Sequence, residues 1–159
     1  MLEPDKWDAE IAVGPVVDKR TKKGKEEWAA FLAANEGKTL IDEGQHAKLL
    51  LMADVLTDDT EACKYIMAES RIEQPVHWRD PHTGIWCKVM CDQLLKDGTI
   101  VNIKTCHDPN PEEFSRSVMN FGYYTSAAMY TNGVSHLMGS EVAEVFVVIQ
   151  SQEPFEVIV

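Results

Sequence analysis

The stretch Trp86–Lys104, WCKVMCDQLLKDGTIVNIK, constrains this chain more than any other. Ile85 to Asp92 is β-branched, aromatic and cysteine-rich, which suits a strand. Leu94 to Gly98 makes a corner with Asp97-Gly98 as its turn signal, and Thr99 to Lys104 is a second strand. Side chains alternate across a strand, so Asn102 and Lys104 share one face while Val101 and Ile103 share the other. An amide and an ammonium on one face of a strand otherwise apolar enough for a core need a reason. Asp92, at the end of the preceding strand, can reach the same spot.

The elements around this pair follow from pattern. Glu26 to Asn35 reads as a helix, with Trp28, Phe31 and Leu32 at helical spacing and Gly37 beyond its end. Asp42 to Thr57 is a second helix, carrying His46, and Asp58 to Ala68 a third. From Ile72 the period changes to that of a strand, up to Trp78, and Asp80-Pro81-His82-Thr83-Gly84 supplies a turn. Pro109-Asn110-Pro111 breaks the sheet, and the spacing of Phe114, Val118, Phe121 and Met129 predicts one long helix over Pro111–Gly133. Glu144 to Gln150 (EVFVVIQ) is a nearly continuous apolar strand, buried on both faces, and Phe155 to Val159 is a last strand. Three helices, three strands, one helix and two strands give an α/β (α+β) fold: a mixed central sheet flanked by helices.

At 159 residues the chain is expected to be one domain, residues 1–159, with a helical part over 1–70 and a sheet core over 71–159. No apolar run approaches the length of a membrane span, and the cytoplasm of a bacterial cell is the expected location. The net charge of −11 opposes casual binding to nucleic acid but leaves room for a local basic groove. The segment Asp18–Lys25 (DKRTKKGK) is the one dense basic cluster; Lys19, Arg20, Lys22, Lys23 and Lys25 read either as a solvated loop and helix start or as phosphate contacts. Cys87, Cys91, Cys106 and His107 lack the paired spacing of a zinc site.

An acid, about ten residues, then polar-x-Lys is the layout of a divalent-metal nuclease site, except that the polar residue should be a second acid. With the elements in place, the chain resembles the RecE-type (exonuclease VIII) branch of the PD-(D/E)XK nuclease superfamily, phage and prophage enzymes that digest duplex DNA. Leu2-Glu3-Pro4 looks like the family's LEP. Asp18 to Trp28 is similar to its basic segment, and Gln74 to Asp92 to its tryptophan hairpin, with Thr83, Gly84 and Cys87 in the TG-x-x-C phrase. Asn102-Ile103-Lys104-Thr105 stands where the family writes D-x-K-T, and Phe114 to Tyr130 looks like the helix of its Q-x-x-x-Y signature.

The resemblance implies a site. Glu73 matches an acid on the first strand, Asp92 the metal-binding aspartate and Lys104 the lysine that orients the attacking water. Tyr130 matches the signature tyrosine. Asn102 stands in for the second metal-binding acid and Ser126 for the signature glutamine. Asp92, Asn102 and Glu73 are thus the expected ligands of Mg²⁺ or Mn²⁺. The family's catalytic histidine precedes LEP and this chain starts at Met1, so that ligand is expected to be missing. Weak metal binding and little or no 5'-3' exonuclease activity follow as expectations. The expected partner is duplex DNA if the site works. The alternative is an inactive acidic binding protein on the nuclease fold, of phage origin, which engages a host nucleic-acid-binding protein as an anti-CRISPR-like inhibitor does. Self-association into a homo-oligomer is expected in either case.

Overall fold

The computed structural model describes residues 6–159. Leu2-Glu3-Pro4, part of the resemblance, lies outside the described residues. Contacts gather in two compact units, one ending at Asp54 and the other running from Val55 to Val159. The second unit therefore takes in residues 55–70 along with the sheet.

The first unit holds α1 (Trp7–Glu10), β1 (Ile11–Val13), α2 (Lys22–Ala34), β2 (Thr39–Ile41) and most of α3 (Glu43–Asp58). β1 and β2 pair in parallel, Ile11 opposite Thr39 and Val13 opposite Ile41. Neither strand is legible by alternation, because three residues carry too little of a period. Helix α2 starts four residues before the expected Glu26. The Thr21 hydroxyl accepts the Gly24 N–H at 3.0 Å, and this cap draws Lys22, Lys23 and Lys25 into the helix. Of the basic segment, Lys19 lies with its Nζ 3.2 Å from the Trp28 ring centroid. Arg20 pairs with Asp18 at 3.0 Å, while Lys22, Lys23 and Lys25 are exposed. His46 stacks on Trp7, ring centroids 5.6 Å apart.

The second unit is built on a five-stranded mixed sheet in the order β3-β4-β5-β6-β7, from β3 (Ser70–Arg79), β4 (Trp86–Leu95), β5 (Ile100–Cys106), β6 (Glu144–Gln150) and β7 (Val157–Ile158). Only the β5–β6 pairing is parallel. The connection between these two strands carries α5 (Pro111–Asn120) and α6 (Tyr123–Met138), as a parallel crossover requires. The fold is the expected mixed sheet flanked by helices. The corner between β4 and β5 is tighter than Leu94–Gly98. Leu94 already pairs with Ile100, and the Leu95 N–H donates to the Thr99 carbonyl at 2.9 Å.

The single helix expected over Pro111–Gly133 is two helices. Asn110 caps α5, its side chain accepting the Glu112 N–H at 3.0 Å, and Pro111 fills the first turn. The chain breaks at Gly122, whose φ of +67° lies in the left-handed region that glycine enters without steric cost. The break resets the helical phase, so an apolar stripe drawn across it fails. Phe121 is 70% exposed and Met129 is 42% exposed, although both were expected on the packed side. Gly133 does not end the helix either; α6 runs on to Met138. A Cβ at Gly133 would lie 2.5 Å from the Trp78 ring, so its absence lets α6 close on β3.

The core beneath α6 is Val76, Trp78, Val89, Cys91, Leu94, Ile100 and Val134. Helix α4 (Thr60–Ile66) is tied to the sheet by a fully buried side chain. The Gln93 amide donates to the carbonyls of Tyr65 at 2.9 Å and Ile66 at 3.3 Å, and to the Ser70 hydroxyl at 3.0 Å. It thereby satisfies carbonyls that the helix end leaves over.

Candidate active site

The site begins with a gap in the sheet. β4 and β5 are paired only at Gln93↔Val101 and Leu94↔Ile100. Beyond that point β4 continues along β3 as far as Trp86↔Arg79, and β5 continues along β6 as far as Cys106↔Gln150. Backbone groups at such an opening still require partners. Asp92 provides one: its carboxylate accepts the Ile103 N–H at 3.2 Å. A side chain thus replaces a strand contact where the two strands part.

Asn102 lies at this opening and is 3% exposed. Its amide Nδ2 donates to the carboxylate of Glu144, at the head of β6, in a short contact. Burial pushes the Glu144 carboxyl up from its ordinary range; the Asn102 hydrogen bond and the Lys104 charge oppose that shift, and the Asp92 charge adds to it. Asp92, Lys104 and Glu144 therefore share one electrostatic neighbourhood around a buried amide. The Lys104 Nζ also stands 5.4 Å from the Tyr123 ring centroid. Tyr123 stacks on Phe146 at 6.0 Å, and Phe114 meets both rings at 6.3 Å, so an aromatic cluster backs the lysine.

Tyr130 approaches from α6, half-buried against the core. Its hydroxyl is pushed up first by burial, then by the charges of Asp92, Cys91, Glu144 and Glu73. Glu73 is exposed and has a φ of +48°, a left-handed backbone that a non-glycine residue rarely adopts. The register pairs Ile72 with Gln93 and Gln74 with Cys91, so Glu73 sits across from Asp92 on the neighbouring strand. Ser126 is exposed one helical turn before Tyr130. The basic segment belongs to the first unit.

Glu144 is the residue that the sequence reading missed. Its signal was one acid at the head of an apolar strand, which reads as an ordinary strand end. What gives it meaning is the parallel pairing of β5 and β6, which joins residues 42 positions apart.

The donor set can be tested against a divalent cation. Among the described residues, no group of three or more His, Cys, Asp or Glu is placed to hold a metal ion. The opening does offer oxygens only, from Asp92, Asn102 and Glu144. Two of them, Asn102 Oδ1 and Glu144 Oε2, are buried with no hydrogen-bond partner. Acceptors left without donors suit a cation, and oxygen ligands suit a hard one. The four cysteines are free, and the Cys91 thiol is pushed up to about 11 by burial and by the charges of Glu144 and Asp92. That environment disfavours the thiolate a soft metal needs.

No curated protein matches the chain significantly. Among solved structures, it is similar to a provisionally assigned exonuclease from Eubacterium rectale, with a TM-score of 0.58 and 12% sequence identity. The alignment covers 84% of this chain and 52% of that one, so the chain spans about half the length of that protein. At such identity the likeness concerns the fold. Residues 12–159 match a family described as "PDDEXK-like domain of unknown function (DUF3799)". With nearly its whole length inside that match, and with an acid, an amide and a lysine gathered where two strands part, the chain belongs to this PDDEXK-like family.

Proposed function

We propose that the chain is the core of a phage-derived, RecE-type exonuclease that cleaves duplex DNA from an end with Mg²⁺ or Mn²⁺, at a rate reduced by the amide at position 102. The observation that supports this reading best is the meeting of Asp92, Asn102 and Lys104 at the β4–β5 opening. Asp92 and Asn102 would hold the ion, with Glu73 close by. When bound, it supplies positive charge against the phosphate and a more acidic water. Lys104 orients the attacking water and balances the charge that develops on the phosphate oxygens. Tyr130, whose hydroxyl is held protonated by burial and by the nearby acids, would serve as a hydrogen-bond donor to the substrate.

The test uses linear duplex DNA beside a closed circle of the same sequence. Slow, metal-dependent loss of the linear form alone is expected, faster with Mn²⁺ than with Mg²⁺. Lys104→Ala should lower the rate by about a hundredfold, the scale of losing one group that stabilises a transition-state charge. Equal rates for the two proteins would sink the reading.

A catalytically silent binding protein on the same fold is the second reading. The net charge of −11 favours it, as do Met119, Phe121 and Tyr124, apolar and exposed at the α5–α6 junction. It gains if neither hydrolysis nor metal binding is detected.

A further inference from the structure

The nuclease pattern wants two acids at the strand opening, and the second strand carries an amide instead. We infer that Glu144 supplies the missing carboxylate from the neighbouring strand, so that the cation site is made by Asp92 on β4 and Glu144 on β6, with the Asn102 side-chain oxygen between them. The inference rests on the metal-dependent reading above. It assigns a ligand that the D-x-K layout does not contain.

Three observations carry it. First, β5 and β6 are parallel and in register at Ile100↔Glu144 and Asn102↔Phe146. Paired residues in a sheet point to the same face, and alternate residues share it, so Asn102 and Glu144 project to one side. Second, the Asn102 Nδ2 donates to the Glu144 carboxylate. This contact fixes both side chains: the amide's Oδ1 and the carboxylate's Oε2 are left over together. Third, these two oxygens are buried and have no hydrogen-bond partner, and Asn102 is 3% exposed. A buried acceptor that meets no donor is uncommon in a folded protein. Two of them, joined through one hydrogen bond and sharing a neighbourhood with Asp92, are accounted for together by one cation. The Lys104 Nζ stands 5.4 Å from the Tyr123 ring centroid, and its charge acts on Glu144. Its positive charge would offset part of the negative charge of the two carboxylates.

On this inference the second carboxylate comes from the strand beside the one that the D-x-K layout uses. This yields a test by exchange. Mn²⁺ binding is measured by titration calorimetry on the full chain, with thermal unfolding of each variant as a check on folding. Glu144→Gln should weaken Mn²⁺ by at least about tenfold, and Asp92→Asn should do the same. The double variant Asn102→Asp with Glu144→Gln returns the acid to β5 and reverses the amide–carboxylate pair. Its affinity should recover to within a few-fold of the unaltered chain. In the unaltered protein, Mn²⁺ should broaden the Asn102 side-chain amide signals in NMR spectra before those of other side-chain amides. That readout needs no substitution.

Unchanged affinity in Glu144→Gln, beside a loss in Asp92→Asn, would overturn the role of Glu144 and leave the metal-dependent reading standing. Failure of the unaltered chain to bind millimolar Mn²⁺ would overturn both.

Discussion

Position 102 concentrates the balance of forces at the site. As an amide it donates to Glu144 and needs no counter-charge. Asn102→Asp removes that donor and sets two carboxylates in contact in a buried place. Without metal the variant should lose about 1–3 kcal/mol of stability, the range for stranding a buried polar group. Millimolar Mn²⁺ should restore much of that loss, because an ion that binds only the folded chain stabilises it by mass action. Denaturant unfolding with and without Mn²⁺ reads both effects; a variant as stable as the parent without metal would contradict the close pairing with Glu144. Asn102, Lys104 and Asp92 were legible in the sequence because strand alternation and a short turn place them by local rules. Glu144 was not, because no local rule joins it to a residue 42 positions earlier.

Elements show the same division. The three strands around the tryptophan hairpin were readable from period and turn chemistry, and their bounds moved by only a few residues. The break between α5 and α6 was hidden because apolar residues on both sides of Gly122 mimic one continuous stripe. Gly133 was readable as a glycine near a helix end; its contact with Trp78 needed the sheet to be in place. Gly133→Ala drives a methyl group into the Trp78 ring, which is only 7% exposed and has little room to yield. A loss of about 1–3 kcal/mol in chemical denaturation is expected from such overpacking, although alanine favours a helix. Stability equal to the parent's would mean that α6 does not seat against Trp78 as described.

For the whole molecule, charge is the quantity that matters. A chain of net charge −11 repels a polyanion unless basic residues are concentrated somewhere. Asp18–Lys25 is where they are, and Lys22 and Lys23 stand exposed in the first turn of α2. If this segment contacts phosphates, Lys22→Ala with Lys23→Ala should weaken duplex binding alike for all sequences. The slope of log affinity against log salt should flatten by about 2, one for each lysine. Fluorescence anisotropy over a salt series decides it, and an unchanged slope would remove the segment from the interface.

The parallel pairing of β5 and β6 also bears on the order in which the chain can assemble. β3, β4 and β5 are neighbours in sequence and close by short turns. β6 reaches β5 only after α5 and α6 have been laid down, so this seam closes the longest loop in the sheet. Long-range seams are slow to close because loop entropy is lost before their contacts form. Asn102 and Glu144 meet across that seam, so their contact depends on its closure, whereas Asp92 is placed by the hairpin. On the metal-dependent reading proposed above, the two carboxylates of the site would come together only when that seam closes.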